Sequence, residues 1–110
     1  MNLTRLLRTI LRTAGLDVLS ADEGREAIDV ASREPVDLII LDLRMPGMDG
    51  REVFHELRAR GVAAPVLIAS AYGARSAQVE LGAEAWIEKP FDPDMLLDTV
   101  TRLLAAGNGA

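Results

Sequence analysis

A chain of 110 residues, 49% hydrophobic and 26% charged, is long enough for one compact core without metal or disulfide support and leaves no room for a second domain. A formal charge of −5 and a pI near 4.8 argue against nonspecific attachment to nucleic acid or to an anionic membrane, since both need a basic surface. The absence of cysteine excludes thiol catalysis, disulfides and Cys-ligated zinc and fits a reducing cytoplasm, and no apolar run approaches the roughly 18 to 20 residues of a membrane span.

In chain order, Leu3, Leu6, Leu7, Ile10, Leu11 and Ala14 recur at helical spacing while Arg5, Arg8 and Arg12 fall elsewhere, which predicts an amphipathic helix closed by Gly15. Asp17 to Ala21 is short and β-branched enough for a strand. Asp22 or Gly24 opens a second helix through Arg33, with Ala27, Ile28 and Ala31 inward, and Pro35 stops it. Val36 to Leu41 reads as a strand, and Leu38 to Leu41 have no polar residue on either parity, the pattern of a strand buried on both faces.

Asp42 ends that run, and a Met-Pro-Gly-Met-Asp-Gly loop follows over 45–50. In open α/β sheets ligands bind beyond the carboxyl ends of the strands, so Asp42 is either a reactive group or a strand-end turn cap. Asp49 can N-cap a third helix that buries Val53, Phe54 and Leu57 and ends near Gly61, with His55 facing solvent and no second histidine or cysteine to make it a metal site. Residues 65–70 form the next buried strand, ending on Ser70. A short helix spans Ala74 to Leu81, and the last strand runs toward Lys89. Asp92 and Pro93 are an N-cap and first-turn proline for a final helix whose buried stripe is Met95, Leu96, Val100, Leu103 and Leu104. Residues 107–110 should fray. Strands alternating with helices predict an α/β fold, a doubly wound parallel sheet with helices on both faces.

The chain has eleven arginines and one lysine, and that lysine lies in Lys89-Pro90-Phe91. Arg is a planar fork and Lys a compact point charge, so a site needing one ammonium on a phosphoryl oxygen would account for the exception. Asp42, Ser70 and Lys89 fall at three strand ends, and an aspartate can attack a phosphoryl group to form an acyl phosphate.

Leu-Asp-Leu-Arg-Met-Pro-Gly-Met-Asp-Gly over 41–50, with Ser70-Ala71, Trp86 and Lys89-Pro90-Phe91, resembles the receiver domains of bacterial two-component response regulators, in order and rough spacing over nearly the whole chain. The resemblance implies a flavodoxin-like sheet, Asp42 as phosphoacceptor, and Lys89 and Ser70 on the phosphoryl oxygens. It further implies Ser70 and Trp86 as switch residues, a cis Lys89-Pro90 bond, and Mg²⁺ held by Asp42 and the Arg44 backbone carbonyl. The implied partners are a histidine kinase or phosphotransfer protein and an output protein, with no direct nucleic-acid or membrane contact. Catalysis would be limited to self-catalysed phosphoryl transfer.

Receivers open with an apolar strand ending in an acidic pair that binds Mg²⁺, and Met1-Asn2-Leu3 here is already helix entry. In the strand order 2-1-3-4-5 that strand would lie between Asp17–Ala21 and Val36–Leu41. The expected fold therefore has about four strands and five helices, as one receiver-like domain over 1–110 that is incomplete at its start. Three explanations follow: the chain begins after the strand, the gap is closed by direct pairing or by another chain in a dimer or strand-exchanged oligomer, or a pseudo-receiver acts as a phosphorylation-independent interaction module. We expect the first, because every other site residue is present. A haloacid-dehalogenase-type phosphatase would want a second Asp where Arg44 stands, and a flavin carrier would want a Ser/Thr-rich phosphate loop that is missing.

Overall fold

The computed structural model describes residues 3–44 and 47–107. Five helices and three strands run in the order α1 (Leu3–Thr13), α2 (Gly24–Arg33), β1 (Ile39–Asp42), α3 (Gly50–Ala59), β2 (Val66–Ser70), α4 (Ala74–Leu81), β3 (Ala85–Glu88) and α5 (Pro93–Gly107). The strands form one parallel sheet ordered β1-β2-β3, with Ile39 beside Val66 and Ser70 beside Glu88. Parallel neighbours need a crossover, and α3 and α4 supply the two.

Alternation along β2 divides the core into two layers. Val66 and Ile68 join Ile28, Leu41, Val53, Phe54, Leu57, Ala74 and Ala77 on the face covered by α2, α3 and α4. Leu67 and Ala69 join Leu11, Ile87, Leu96 and Val100 on the face covered by α1 and α5. Every residue of β2 is buried, and Val66 to Ala69 are apolar on both parities as such a strand requires. The helix starts follow their caps: the Asp49 side chain accepts from the Arg51 N–H at 2.8 Å, and Asp92 Oδ1 accepts from the Asp94 N–H at 2.8 Å.

Four expectations are corrected. Three strands, not about four, occur among the described residues, because Asp17–Ala21 pairs with nothing. Its burial still alternates, with Val18 and Ser20 half-buried and Leu19 58% exposed, but a strand is defined by its ladder and none runs beside it. The central strand also shortens to Ile39–Asp42 and lies at an edge, hydrogen-bonded to β2 alone, so only Leu41 of its side chains is fully buried. In α5 the buried stripe is Leu96, Thr99 and Val100 with Leu103 and Leu104 half-buried, whereas Met95 is 59% exposed. Positions 96, 99, 100 and 103 share one helical face, and Met95 lies at its margin, about 40° beyond Thr99, where the solvent begins. Leu6 and Ala14 of the expected α1 stripe are exposed as well. The expectations for Met1-Asn2 and for the tail at 108–110 lie outside the described residues.

Arg58 ties α3 to the start of β2. Its Nη1 donates to the carbonyls of Val62 at 3.0 Å and Ala64 at 2.9 Å, its Nη2 reaches Glu84 Oε1 at 3.1 Å, and its guanidinium lies 4.8 Å from the Phe54 ring centroid. Glu84 Oε1 in turn accepts from the Val66 N–H at 2.7 Å, fixing the end of the β2–β3 ladder. Charge-assisted hydrogen bonds contribute about 1.5 to 3 kcal/mol each when lost partners stay buried, and solvent replaces part of that here. Arg58→Ala should therefore destabilise by about 2 to 3 kcal/mol, measured by urea unfolding, with Glu84→Ala costing less.

Candidate functional site

The carboxyl ends of β1, β2 and β3 lie on one edge of the sheet and carry Asp42, Ser70 and, one residue beyond β3, Lys89. Lys89 Nζ donates to Asp42 Oδ2 at 2.7 Å, bridging the outer strands across β2. The other carboxylate oxygen, Oδ1, accepts from the Arg44 N–H at 2.9 Å. Side-chain exposures of 31% for Asp42 and 22% for Lys89 leave the pair open to an incoming group but shielded enough to strengthen its attraction. The Lys89 N–H donates to the Ser70 carbonyl at 3.0 Å, and the Lys89-Pro90 bond is cis.

Ser70 is buried, 2% exposed, and its hydroxyl is turned into its own loop. Oγ donates to the Tyr72 carbonyl at 2.9 Å and accepts from the Tyr72 N–H at 3.3 Å. It shares the edge with Asp42 without a hydrogen bond to it. Trp86 stands at the middle of β3, 40% exposed, on the outer side of the sheet edge with Met95, Thr99 and Arg102 along an open groove. The loop after β1 is pinned by Gly50, whose N–H donates to the Leu43 carbonyl at 3.2 Å. A Cβ there would lie 2.7 Å from Leu43 Cα and 2.9 Å from the Asp42 carbonyl, so α3 approaches the Asp42 turn this closely only with glycine at its start.

One pair escaped the sequence reading. The Arg44 guanidinium carbon lies 5.9 Å from the centroid of the Tyr72 ring, joining the loops after β1 and β2 beside Asp42. Arg44 follows Asp42 by two residues and Tyr72 follows Ser70 by two. In the β1–β2 register Asp42 lies beside Ala69, so position 44 falls level with 71, next to Tyr72, and the departure of both loops from the same sheet edge was the available signal.

The resemblance to receiver domains implies Mg²⁺ at this strand edge. Among the described residues no group of three or more His, Cys, Asp or Glu gathers. The Asp42 carboxylate is held by a cation and a backbone N–H, Asp49 caps α3, and Glu88 at the end of β3 is exposed. With Lys89 and Arg44 beside a single acid, the described donor set does not fit a dication, including at the Arg44 carbonyl.

The chain is 34% identical over 102 residues to sporulation initiation phosphotransferase F of Bacillus subtilis (strain 168), covering 90% of this chain and 82% of that protein. It is 38% identical over 95 residues to the alkaline phosphatase synthesis transcriptional regulatory protein PhoP of the same strain, covering 84% of this chain but 40% of PhoP, so it spans about two-fifths of that relative. The receiver domain of Francisella response regulator 1452 superposes with a TM-score of 0.84 at 28% identity, over 93% of this chain and 87% of that one. The receiver domain of the Pseudomonas aeruginosa PAO1 sensor histidine kinase PA1611, solved with magnesium coordinated in its active-site cleft, gives 0.84 at 26%, over 93% and 88%. Residues 2–101 match the response regulator receiver domain family, and with a three-stranded parallel sheet presenting Asp42 and Lys89 at one edge the chain belongs to that family of two-component signalling modules.

Proposed function

We propose that Asp42 accepts a phosphoryl group from a phosphohistidine of a histidine kinase or phosphotransfer protein and that the chain passes the change to an output partner. The 2.7 Å contact between Lys89 and Asp42 carries this reading, because it sets an ammonium against the carboxylate that ends β1. In the transfer an Asp42 oxygen forms the new bond to phosphorus while the P–N bond to the donor imidazole breaks. The electron pair stays on that nitrogen, which takes its proton from solvent. Lys89 turns from the carboxylate to a phosphoryl oxygen, neutralising charge that spreads over the transferring group. The Ser70 hydroxyl leaves the Tyr72 backbone to donate to a second oxygen.

The test is incubation with a histidine kinase preparation or a small acyl phosphate, followed by peptide mass mapping for a hydroxylamine-sensitive phosphoryl adduct on Asp42. Lys89→Ala should slow formation of that adduct on the order of a hundredfold, the scale for removing one preorganised donor. Its stability cost should be at most about 1 kcal/mol, since the pair is partly solvated. Equal rates in Lys89→Ala and wild type would remove Lys89 from the mechanism.

The carboxylate-poor edge favours one second reading, a pseudo-receiver that acts as an interaction module without phosphorylation. Its surface would run from α4 to α5, where Val79 (69%), Trp86 and Met95 are exposed. Failure of every phosphoryl donor to label Asp42, together with partner binding that Asp42→Asn leaves unchanged, would select it.

A further inference from the structure

Each oxygen of the Asp42 carboxylate already has a donor. Oδ2 accepts from the Lys89 ammonium at 2.7 Å and Oδ1 from the Arg44 N–H at 2.9 Å. A divalent ion is usually bound through one or two carboxylates with phosphate and water, so at this edge Asp42 would be its anchor. There it would share Oδ2 with an ammonium. The carboxylate attracts the ion, the ammonium beside that carboxylate repels it at nearly the same distance, and the two effects nearly cancel. Among the described residues no other acid tips the balance: no group of three or more His, Cys, Asp or Glu gathers, and Asp49 Oδ1 is bonded to the Arg51 N–H at the start of α3.

The same edge suits an oxyanion. The Lys89 N–H donates to the Ser70 carbonyl at 3.0 Å, which fixes the root of the lysine side chain next to the end of β2. Its ammonium has three protons, and Asp42 accepts one of them. Ser70 adds a hydroxyl that now donates to the Tyr72 carbonyl and can turn about one bond. These are the donors a tetrahedral oxyanion needs, and none of them requires a metal.

We propose that the edge takes the phosphoryl group as an oxyanion held by Lys89 and the Ser70 hydroxyl with no divalent ion, so that phosphorylation of Asp42 proceeds independently of Mg²⁺. This rests on the phosphoacceptor reading above and departs from what the resemblance to receivers implies. In the transfer an Asp42 oxygen bonds to phosphorus as the bond from phosphorus to the donor nitrogen breaks. The electron pair stays on that nitrogen, which takes a proton from solvent. As the new bond forms the carboxylate gives up its negative charge, and the ammonium it held moves to a phosphoryl oxygen. Lys89 thus supplies from within the chain the positive charge that a dication would bring from solution.

Two measurements on the full chain test it. In the first, phosphoramidate, whose P–N bond resembles that of a phosphohistidine, is the donor, and labelling of Asp42 is followed by peptide mass mapping with excess chelator and with added Mg²⁺. The two rates should agree within about twofold, whereas an ion that neutralised the transferring group would separate them on the order of a hundredfold. In the second, Mn²⁺, which takes the same oxygen donors as Mg²⁺, is titrated into the unphosphorylated chains. Its paramagnetic broadening of the backbone amide signals of Leu43, Arg44 and Lys89 is compared with that at Asp17 and Glu34, exposed acids elsewhere. Wild type should show no preference for the edge. Lys89→Ala, with Oδ2 freed and a like charge removed, should broaden at the edge first, at Mn²⁺ concentrations lower by about tenfold. Lys89→Arg, which keeps the positive charge, should behave as wild type.

Mg²⁺-dependent labelling of wild type overturns the proposal, as does selective broadening at its edge. Edge signals that stay sharp in Lys89→Ala overturn it too, since something other than the lysine would then exclude the ion. If phosphoramidate labels Asp42 under neither condition, the phosphoacceptor reading fails by itself, and the Mn²⁺ titration alone decides whether Lys89 keeps a dication from this edge.

Discussion

Asp42→Asn should abolish phosphoryl incorporation, by a factor of at least about a thousand, and leave the fold in place. An amide oxygen is a poor nucleophile beside a carboxylate, and an amide nitrogen has its lone pair in resonance, so no acyl phosphate can form at that position. The variant keeps an acceptor for the Arg44 N–H and loses the ion pair with Lys89. With side chains 31% and 22% exposed, that pair stabilises by about 1 kcal/mol or less. In a domain of this size the loss lowers the melting temperature by roughly 4 to 8 °C at most. Radiolabel transfer from a phosphorylated kinase, with hydroxylamine sensitivity to identify the acyl phosphate, reads the first part, and a thermal melt reads the second. Label persisting on the Asp42→Asn chain at another residue would overturn the assignment of Asp42.

How far the site could be read from the chain differs residue by residue. Asp42, Ser70 and Lys89 were legible as polar residues terminating apolar runs, because a buried strand cannot continue through them and a parallel sheet sends all such ends to one edge. The bounds of α4 were legible too: Gly73 and Gly82 both adopt positive φ, and the helix lies between them. The direction of the Ser70 hydroxyl was not, since a side chain that rotates about one bond takes its partner from the local turn, and Tyr72 offers both a donor and an acceptor. The Arg44–Tyr72 contact was hidden for another reason. Burial pattern is the main signal in a sequence, and two exposed residues carry none of it. Asp17–Ala21 failed in the opposite way: its composition suits a strand, but hydrogen-bonded partners come from elsewhere in the fold, and composition says nothing about whether they are there.

That open edge underlies the second large effect. β1 is hydrogen-bonded on one side only among the described residues, it is apolar, and it carries neither the lysine nor the proline that protect natural edges. Leu19 at 58% and Leu6 at 38% are exposed as well. A version of the chain extended at its amino end by a five-residue apolar strand closing on two acidic residues should place that strand against β1. Five aliphatic side chains stabilise by about 1.5 to 3 kcal/mol each on burial, and ordering their residues costs about 1 to 2 kcal/mol apiece for the backbone. The net gain is a few kcal/mol, a rise in melting temperature on the order of 10 °C or more. The covered edge should no longer recruit other chains, so self-association of the original chain, read by sedimentation, should fall in the extended one. The two new acids would join Asp42 opposite Lys89, and one carboxylate would become three, which suits a divalent ion. Calorimetric titration should then show Mg²⁺ binding tightened by at least about tenfold, with faster acyl-phosphate formation, since the ion neutralises the transferring group. If the two versions match in melting, association and Mg²⁺-dependent phosphorylation, the acids were never needed here, and the phosphorylation-independent module becomes the better account of this chain.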